Sequence, residues 1–261
     1  MATTPPVFTD GEAYERMMGR WSRLAGETFL DWIAPARGLR WLDVGCGNGA
    51  FTELLVERCS TSAVTGIDPS EGQLDYARSR LDANDVDFRQ GDALALPFED
   101  NEFDAAAMAL AINFVPDPSK AVAEMVRVVE PGGLIATYMW DVLGGGFTME
   151  PLRKALKEID IPTPIPGAEV VRIENLERLW NEAELNDVAT RRVDITVTYA
   201  DFEDFWIANT SIPNSVSNAI AKLAPADGEK LKERLRETLS TDADGRISYG
   251  ACANAVKGRV P

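Results

Sequence analysis

The chain has 261 residues, 26 basic and 42 acidic, for a net charge of −16. That length is ample for one sizeable core, and so acidic a balance opposes nucleic-acid phosphates and anionic membrane surfaces as partners. Histidine is absent, which excludes histidine catalysis and the usual histidine metal ligands, and the widely spaced Cys46, Cys59 and Cys252 fit reduced thiols better than a disulfide frame or a zinc site.

The opening residues, Met1-Ala2-Thr3-Thr4-Pro5-Pro6, lack the basic-then-apolar plan of a signal peptide, and no apolar run reaches membrane-span length, so a cytoplasmic location is expected. Residues 1–9 read as disordered. From Asp10, apolar residues recur at helical spacing (Tyr14, Met17, Met18, Trp21, Leu24, Ala25, Phe29, Trp32, Ile33) until Pro35 and Gly38. Residues 38–140 then alternate strand and helix patterns, which predicts a parallel sheet covered on both faces. The apolar run Leu39–Val44 is a strand. Gly45-Cys46-Gly47-Asn48-Gly49 follows as a tight turn opening a helix, where the backbone can approach a ligand and offer it free N–H groups. Val64–Asp68 is the next strand, with a helix from Ser70 to Leu81. A third strand runs from Phe88 to Asp92, and the nearly continuous apolar run Ala105–Leu110 is the fourth. A helix over Ser119–Val129 leads through the turn Pro131-Gly132-Gly133 into a strand over Leu134–Trp140.

Beyond Trp140 the alternation stops. Gly144-Gly145-Gly146 reads as a hinge, Met149–Ile159 as a helix, Ile161–Pro166 as a proline-rich loop, and Ile173–Leu185 as an amphipathic helix. Val188–Tyr199 alternates as a strand, and Asp201–Leu239 is helical with breaks near Pro213 and Pro225. Gly245–Lys257 is expected to return as the last, antiparallel strand, which places the helical insert between the final two strands. Three segments follow: a helical cover over 1–37, a ligand-binding core over 38–140, and a completion of the sheet with a covering insert over 141–261.

Asp68 at one strand end can accept both hydroxyls of a ribose, and Asp92 at the next can accept from an exocyclic adenine amine. With the glycine loop they describe a pocket for an adenosine carrying a polar tail. A dinucleotide oxidoreductase using NAD(P) is the rival reading, because Gly45-x-Gly47-x-x-Ala50 satisfies the loose dinucleotide pattern. Asp43 beside the loop would repel a pyrophosphate and suits an ammonium, and Asp92 has no role in that rival.

From Trp41 to Trp140 the chain resembles the class I S-adenosylmethionine-dependent methyltransferases. The resemblance rests on Asp43 to Gly49, Gly66-Ile67-Asp68-Pro69-Ser70, Gly91-Asp92-Ala93-Leu94, Leu96-Pro97-Phe98 and Phe103-Asp104. Glu124 to Val128 and Pro131-Gly132-Gly133 look like the small-molecule branch that includes ubiquinone and menaquinone methyltransferases. That branch often carries paired histidines before its Val-Pro-Asp-Pro turn. Here Asn113-Phe114 precede Val115-Pro116-Asp117-Pro118, which argues against a quinone-precursor acceptor.

The resemblance implies a doubly wound, mostly parallel seven-stranded α/β sheet with a last antiparallel strand and a helical insert. It also implies S-adenosylmethionine as cofactor and transfer of its methyl to a small organic acceptor by in-line displacement. A non-enzymatic S-adenosylmethionine-binding protein is a further alternative. Tyr14, Arg20, Asp43, Gly45, Cys46, Gly47, Asn48, Asp68, Pro69, Gln73, Asp92, Ala93 and Leu110 are the expected cofactor contacts. For the acceptor, Asp141 after the fifth strand is the expected base or amine-attracting group, and Asn113 an orienting hydrogen-bonder. Trp140, Tyr199 and Trp206 are expected to touch the acceptor, with Phe202, Phe205 and Tyr249 as further aromatics of that region. No metal site is expected.

Overall fold

The computed structural model describes residues 11–81, 86–211 and 214–261, with only the backbone described over 11–17. The expectations for residues 1–9 and for the break at Pro213 lie outside these residues. A long helix, α1 (Gly11–Ile33), precedes β1 (Arg40–Val44), α2 (Ala50–Cys59), β2 (Ala63–Asp68), α3 (Glu71–Arg80) and β3 (Asp87–Gln90). Then come β4 (Phe103–Ala109), a short 3-10 turn (Ile112–Phe114), α4 (Pro118–Val128) and β5 (Val129–Trp140). The remainder is α5 (Glu150–Glu158), α6 (Ile173–Glu182), β6 (Asn186–Tyr199), α7 (Phe202–Thr210), α8 (Ser215–Ala221), α9 (Pro225–Thr238) and β7 (Ile247–Arg259).

The strands form one seven-stranded sheet in the order β3-β2-β1-β4-β5-β7-β6. The first five run parallel, and β7 lies antiparallel between β5 and β6. The expected doubly wound sheet with a final antiparallel strand is thus the observed one, and α7 to α9 form the insert between β6 and β7. Burial explains the sequence patterns. Ala105, Ala106 and Ala107 in central β4 are fully buried, so that strand reads as unbroken apolar sequence. Edge strand β6 buries Val193, Ile195, Val197 and Tyr199 and exposes the residues between them, so it alternates. Helix α4 is started by Asp117, whose carboxylate accepts the Lys120 N–H at 3.0 Å, with Pro118 in the first turn.

Among the element boundaries that differ from expectation, two bear on how the sheet is built. Pro131-Gly132-Gly133 lies within β5 and not before it: the pairing with β4 jumps from Phe103–Val129 to Ala105–Leu134, so the turn is absorbed as an irregularity. Asp92 is not on β3. The strand ends at Gln90, where the chain presses so closely on β2 that a Cβ on Gly91 would lie 2.5 Å from Ile67 Cδ1. Asp92 instead bridges to Ala95 in the following turn.

The order reverses between β1 and β4, because β2 and β3 lie to one side and β4 and β5 to the other. Ligands of open sheets bind at that point, outside the carboxyl ends of the strands. The register brings those ends level: Val44 sits beside Ile67, Asp68 beside Gln90, and Ala109 beside Tyr138.

Candidate donor and acceptor site

A cavity of about 340 Å³ lies across these strand ends. Its volume falls in the range of small-molecule sites. At one end are Asp92, Ala93 and Gly91; Asp68, Pro69, Ser70 and Gln73 follow; the loop from Gly45 to Asn48 and Asp43 form the floor. At the other end Met108 to Ala111, Phe114 to Pro116, Tyr138 and Ser22 close the wall.

The loop is shaped by steric need. Gly45 has φ +72°, and a Cβ there would stand 2.8 Å from the Ala111 Cβ. Its N–H and that of Cys46 both donate to the Ile67 carbonyl, at 2.7 and 3.1 Å, which fastens the loop to β2. Asp68 fixes the loop from the other side, accepting Gly47 N–H at 2.9 Å and Ser70 N–H at 2.8 Å. Burial raises the Asp68 pKa, and those two N–H groups oppose the rise. The Asp68 oxygens keep lone pairs for ligand hydroxyls. Asp92 is exposed, with one oxygen accepting Leu94 N–H at 2.9 Å.

Asp43 is fully buried. Its Oδ2 accepts the Thr52 hydroxyl at 2.6 Å, and its Oδ1 has no partner. Loss of water pushes its pKa up to about 7; the Thr52 hydrogen bond works against this, and the Asp68 charge adds to it. An unpaired buried carboxylate oxygen at a cavity wall calls for a cation or a hydrogen-bond donor. Gln73 Oε1 and Ser22 Oγ also line the cavity, buried and without partners. Among the described residues, the lining holds no lysine or arginine. These groups fit an adenosine with an ammonium-bearing tail and oppose a dinucleotide pyrophosphate. Burial also raises the Cys46 thiol well above its ordinary pKa, which keeps it protonated and a poor nucleophile.

Of the residues expected at the cofactor, Asp43, Gly45, Cys46, Gly47, Asn48, Asp68, Pro69, Gln73, Asp92, Ala93 and Leu110 all line this one cavity. Leu110 does so in a left-handed conformation (φ 55°), held by its N–H to the Tyr138 carbonyl at 2.9 Å. A branched side chain in that region stores strain, as residues at binding sites often do. The Tyr14 side chain lies outside the described residues. Arg20 is not in the lining: it pairs with Asp204 at 3.4 Å and lies over the Tyr199 ring at 5.8 Å.

The residues expected at the acceptor are placed elsewhere. Asp141 accepts Gly144 N–H at 3.0 Å and pairs with Arg192 at 3.6 Å, so it closes the glycine turn and faces β6 and β7, outside the cavity lining. Trp140 is buried edge-on to Trp21 with ring centres 6.5 Å apart. Tyr199 accepts the Trp21 indole N–H at 3.0 Å and stacks on Tyr249 at 5.8 Å. Trp206 stacks on Phe202 at 6.2 Å, with Lys232 over its ring. Trp21, Trp140 and Tyr199 belong to a packed core joining α1 and the sheet, with Phe205 of α7 against Tyr199 at 5.6 Å, while Trp206 lies half-buried between α7 and α9. Asn113 is buried behind the wall, its amide donating to the Pro166 carbonyl at 3.2 Å and its oxygen unpartnered.

Sequence reasoning does not single out Ser22, Phe51, Met108, Phe114 or Tyr138 as site residues, yet all of them line the cavity. Ser22 carries a visible signal: it is a small polar residue within the apolar stripe of α1.

Comparisons with known proteins agree with this geometry. Residues 42–137 match the family described as a methyltransferase domain. A demethylmenaquinone methyltransferase of Renibacterium salmoninarum is 35% identical over 170 residues, covering 63% of this chain and 68% of that protein. A ubiquinone/menaquinone biosynthesis C-methyltransferase of Roseobacter denitrificans is 37% identical over 115 residues, 42% of this chain. The chain spans only 46% of the Roseobacter relative's length. In fold, the chain is similar to phosphoethanolamine N-methyltransferase 2 of Haemonchus contortus in complex with S-adenosyl-L-methionine. The TM-score is 0.58 at 19% identity, over 96% of this chain and 56% of that one. The chain belongs to the class I S-adenosylmethionine-dependent methyltransferases.

Proposed function

We propose that this protein transfers the methyl group of S-adenosylmethionine to a small organic acceptor. The observation that carries this is the buried Asp43 carboxylate, half satisfied by Thr52, standing in one cavity with Asp68 and Asp92. Asp43 would attract the ammonium of the methionyl tail, Asp68 accept from the ribose hydroxyls, and Asp92 accept from the adenine amine. The curated relatives named as menaquinone and ubiquinone methyltransferases support the reaction type, and the missing histidine pair at Asn113-Phe114 separates this chain from their acceptors.

The donor supplies a methyl already activated on a sulfonium. The chain's contribution is therefore alignment and exclusion of water. Leu110, Ala111, Phe114, Val115 and Pro116 give the far wall an apolar surface suited to both. Asp141 lies outside the lining, and the carboxylates of the cavity are all on the donor side, so an acceptor that is nucleophilic without an enzyme base fits best. The acidic charge supports a small-molecule acceptor over a nucleic acid, and the three free, buried cysteines support a reducing cytoplasmic setting. Among the described residues no helix is long and apolar enough to cross a membrane.

The test has two arms. Calorimetry should show binding of S-adenosylmethionine and S-adenosylhomocysteine and none of NAD. Incubation of methyl-labelled donor with fractionated metabolites should then label a small molecule. Binding of NAD in preference to the donor would overturn the reading.

A further inference from the structure

We propose that β6 is an interface on which two copies of this chain pair antiparallel, edge to edge, into one continuous sheet about a two-fold axis at Val193.

Strand β6 ends the sheet and is 14 residues long. Its pairing with β7 is irregular only between Asn186 and Ala189, so the run from Ala189 to Tyr199 keeps one register. That run presents about 36 Å of edge at roughly 3.3 Å per residue. Among the described residues, no backbone hydrogen bond joins its other edge to any element. Open edges of this kind attract further strands, and proteins blunt them with short strands, prolines, bulges or a covering element. Over this run β6 is long, regular and free of proline and glycine. Its protection is charge: Arg191, Arg192 and Asp194 are all exposed.

These charges choose the occupant. Val193, Ile195, Val197 and Tyr199 are buried on one face of the strand, so Arg192 and Asp194 share the opposite, exposed face. With the two-fold axis at Val193, Arg192 of each copy lies opposite Asp194 of the other, and Thr190 opposite Thr196. Both charges are then answered, twice over. An axis at Arg192 or at Asp194 sets a charge against its own kind, which is destabilising. The pattern thus admits a second copy in one register and opposes other registers and strands that lack it. Arg192 also pairs with Asp141 at 3.6 Å, and its guanidinium has donors left for a second carboxylate.

The surroundings agree. From Ala189 to Tyr199 the strand holds two arginines and one aspartate, a basic stretch in a chain of net charge −16, so local charge does not add to the general repulsion. Helices α1 and α7 both pack on β6. Arg20 of α1 lies over the Tyr199 ring and pairs with Asp204 of α7. One turn on from these two, Leu24 and Ile207 are 38% and 57% exposed, which leaves apolar surface on the helices that border the strand.

Sedimentation velocity on the full chain reads the outcome. Wild type should pass from the mass of one chain to that of two as concentration rises. Asp194→Arg and Arg192→Asp each set like charges opposite one another and should raise the dimer dissociation constant about 10- to 100-fold. An equimolar mixture of the two variants restores opposite charges at both places and should recover dimers. A thermal melt of each variant shows that it is folded. Hydrogen exchange on wild type needs no variant: amides between Ala189 and Thr198 should become more protected at high concentration. A wild type that stays monomeric, a dimer that survives both substitutions, or a mixture that stays monomeric would each overturn the proposal. So would exchange in β6 that is independent of concentration, which decides the matter if either variant does not fold.

Discussion

Thr52 donates its hydroxyl to one oxygen of Asp43 at 2.6 Å and leaves the other oxygen of this fully buried, cavity-lining carboxylate unpaired. The pair links the first turn of α2 to the end of β1. It also stores a cost in the ligand-free protein, which the ammonium of the proposed donor would relieve.

That cost has a pH signature. The Asp43 pKa stands at about 7 in the folded chain against an ordinary 3.8. Between those values the native state binds a proton that the unfolded state has released. Stability from this group is therefore full below the lower value and is lost as pH rises through about 7, by a few kcal/mol at roughly 1.4 kcal/mol per unit. Asp43→Asn should flatten this slope, and denaturant unfolding at pH 5 and pH 8 measures it. An ammonium ligand favours the charged carboxylate, so donor binding near pH 6.5 should release protons in wild type and none from this group in Asp43→Asn. Calorimetry in buffers of different ionisation enthalpy reads that difference. A wild-type binding enthalpy independent of buffer would remove Asp43 from the tail site.

Asp68 and Asp92 should separate structure from binding. Asp68 holds the glycine loop through Gly47 N–H and Ser70 N–H, so Asp68→Ala should lower both donor affinity and ligand-free stability, each by about 1–3 kcal/mol. The Asp92 carboxylate accepts Leu94 N–H within its own turn. Asp92→Ala should spare stability, lower affinity for S-adenosylhomocysteine, and lower it less for an analogue lacking the adenine amine. Equal losses for both ligands would contradict the adenine role.

The loop itself allows no side chain at Gly45. Alanine there would combine a left-handed backbone with a contact 2.8 Å from the Ala111 Cβ. Gly45→Ala should push the loop away from β4 and reduce donor binding below detection, at a stability cost of about 1–3 kcal/mol. Calorimetry with a thermal melt checks both. Retained affinity would mean that the loop does not set the donor position.

The cavity residues proposed to hold the donor are legible in the sequence because they lie in a few short stretches whose places follow from strand and turn. Once β1 ends at Val44, the position of Gly45 is set, and once β2 ends at Asp68, so is its carboxylate. Where the residues expected at the acceptor point depends on side-chain direction across distant elements, which sequence order does not carry. Asp141 directly follows β5, yet its backbone N–H bonds to the Cys252 carbonyl and its carboxylate turns to Gly144 and Arg192. Trp21 packs in the core while its neighbour Ser22 meets the cavity, since adjacent helical residues diverge by about 100°. Of the aromatics of α7, Phe205 packs on Tyr199 of β6 and Tyr249 of β7, while Phe202 and Trp206 stack on each other beneath Arg236 and Lys232 of α9, so their enrichment in the insert reflects packing.

The acceptor is expected to enter at the end of β4. Beyond the donor groups, the cavity wall at the end of β4 is made by Leu110, Ala111, Phe114, Val115 and Pro116. Phe114 ends the Ile112–Phe114 turn and is half-buried, so its truncation removes apolar contact without opening the sheet. Phe114→Ala should leave donor affinity unchanged and raise the acceptor KM about 10- to 100-fold with little change in kcat, the mark of contact made equally in ground and transition states. Trp206→Ala is the matched control. It removes stacking on Phe202, should cost about 1–3 kcal/mol of stability, and should leave the acceptor KM unaltered. Asp141→Asn keeps an acceptor for Gly144 N–H and loses only a pairing with a half-exposed arginine, so its kinetics should also match wild type. Steady-state kinetics on variants first shown to be folded decide the matter. A raised KM in Trp206→Ala with none in Phe114→Ala would move the acceptor from the end of β4 to the helical insert.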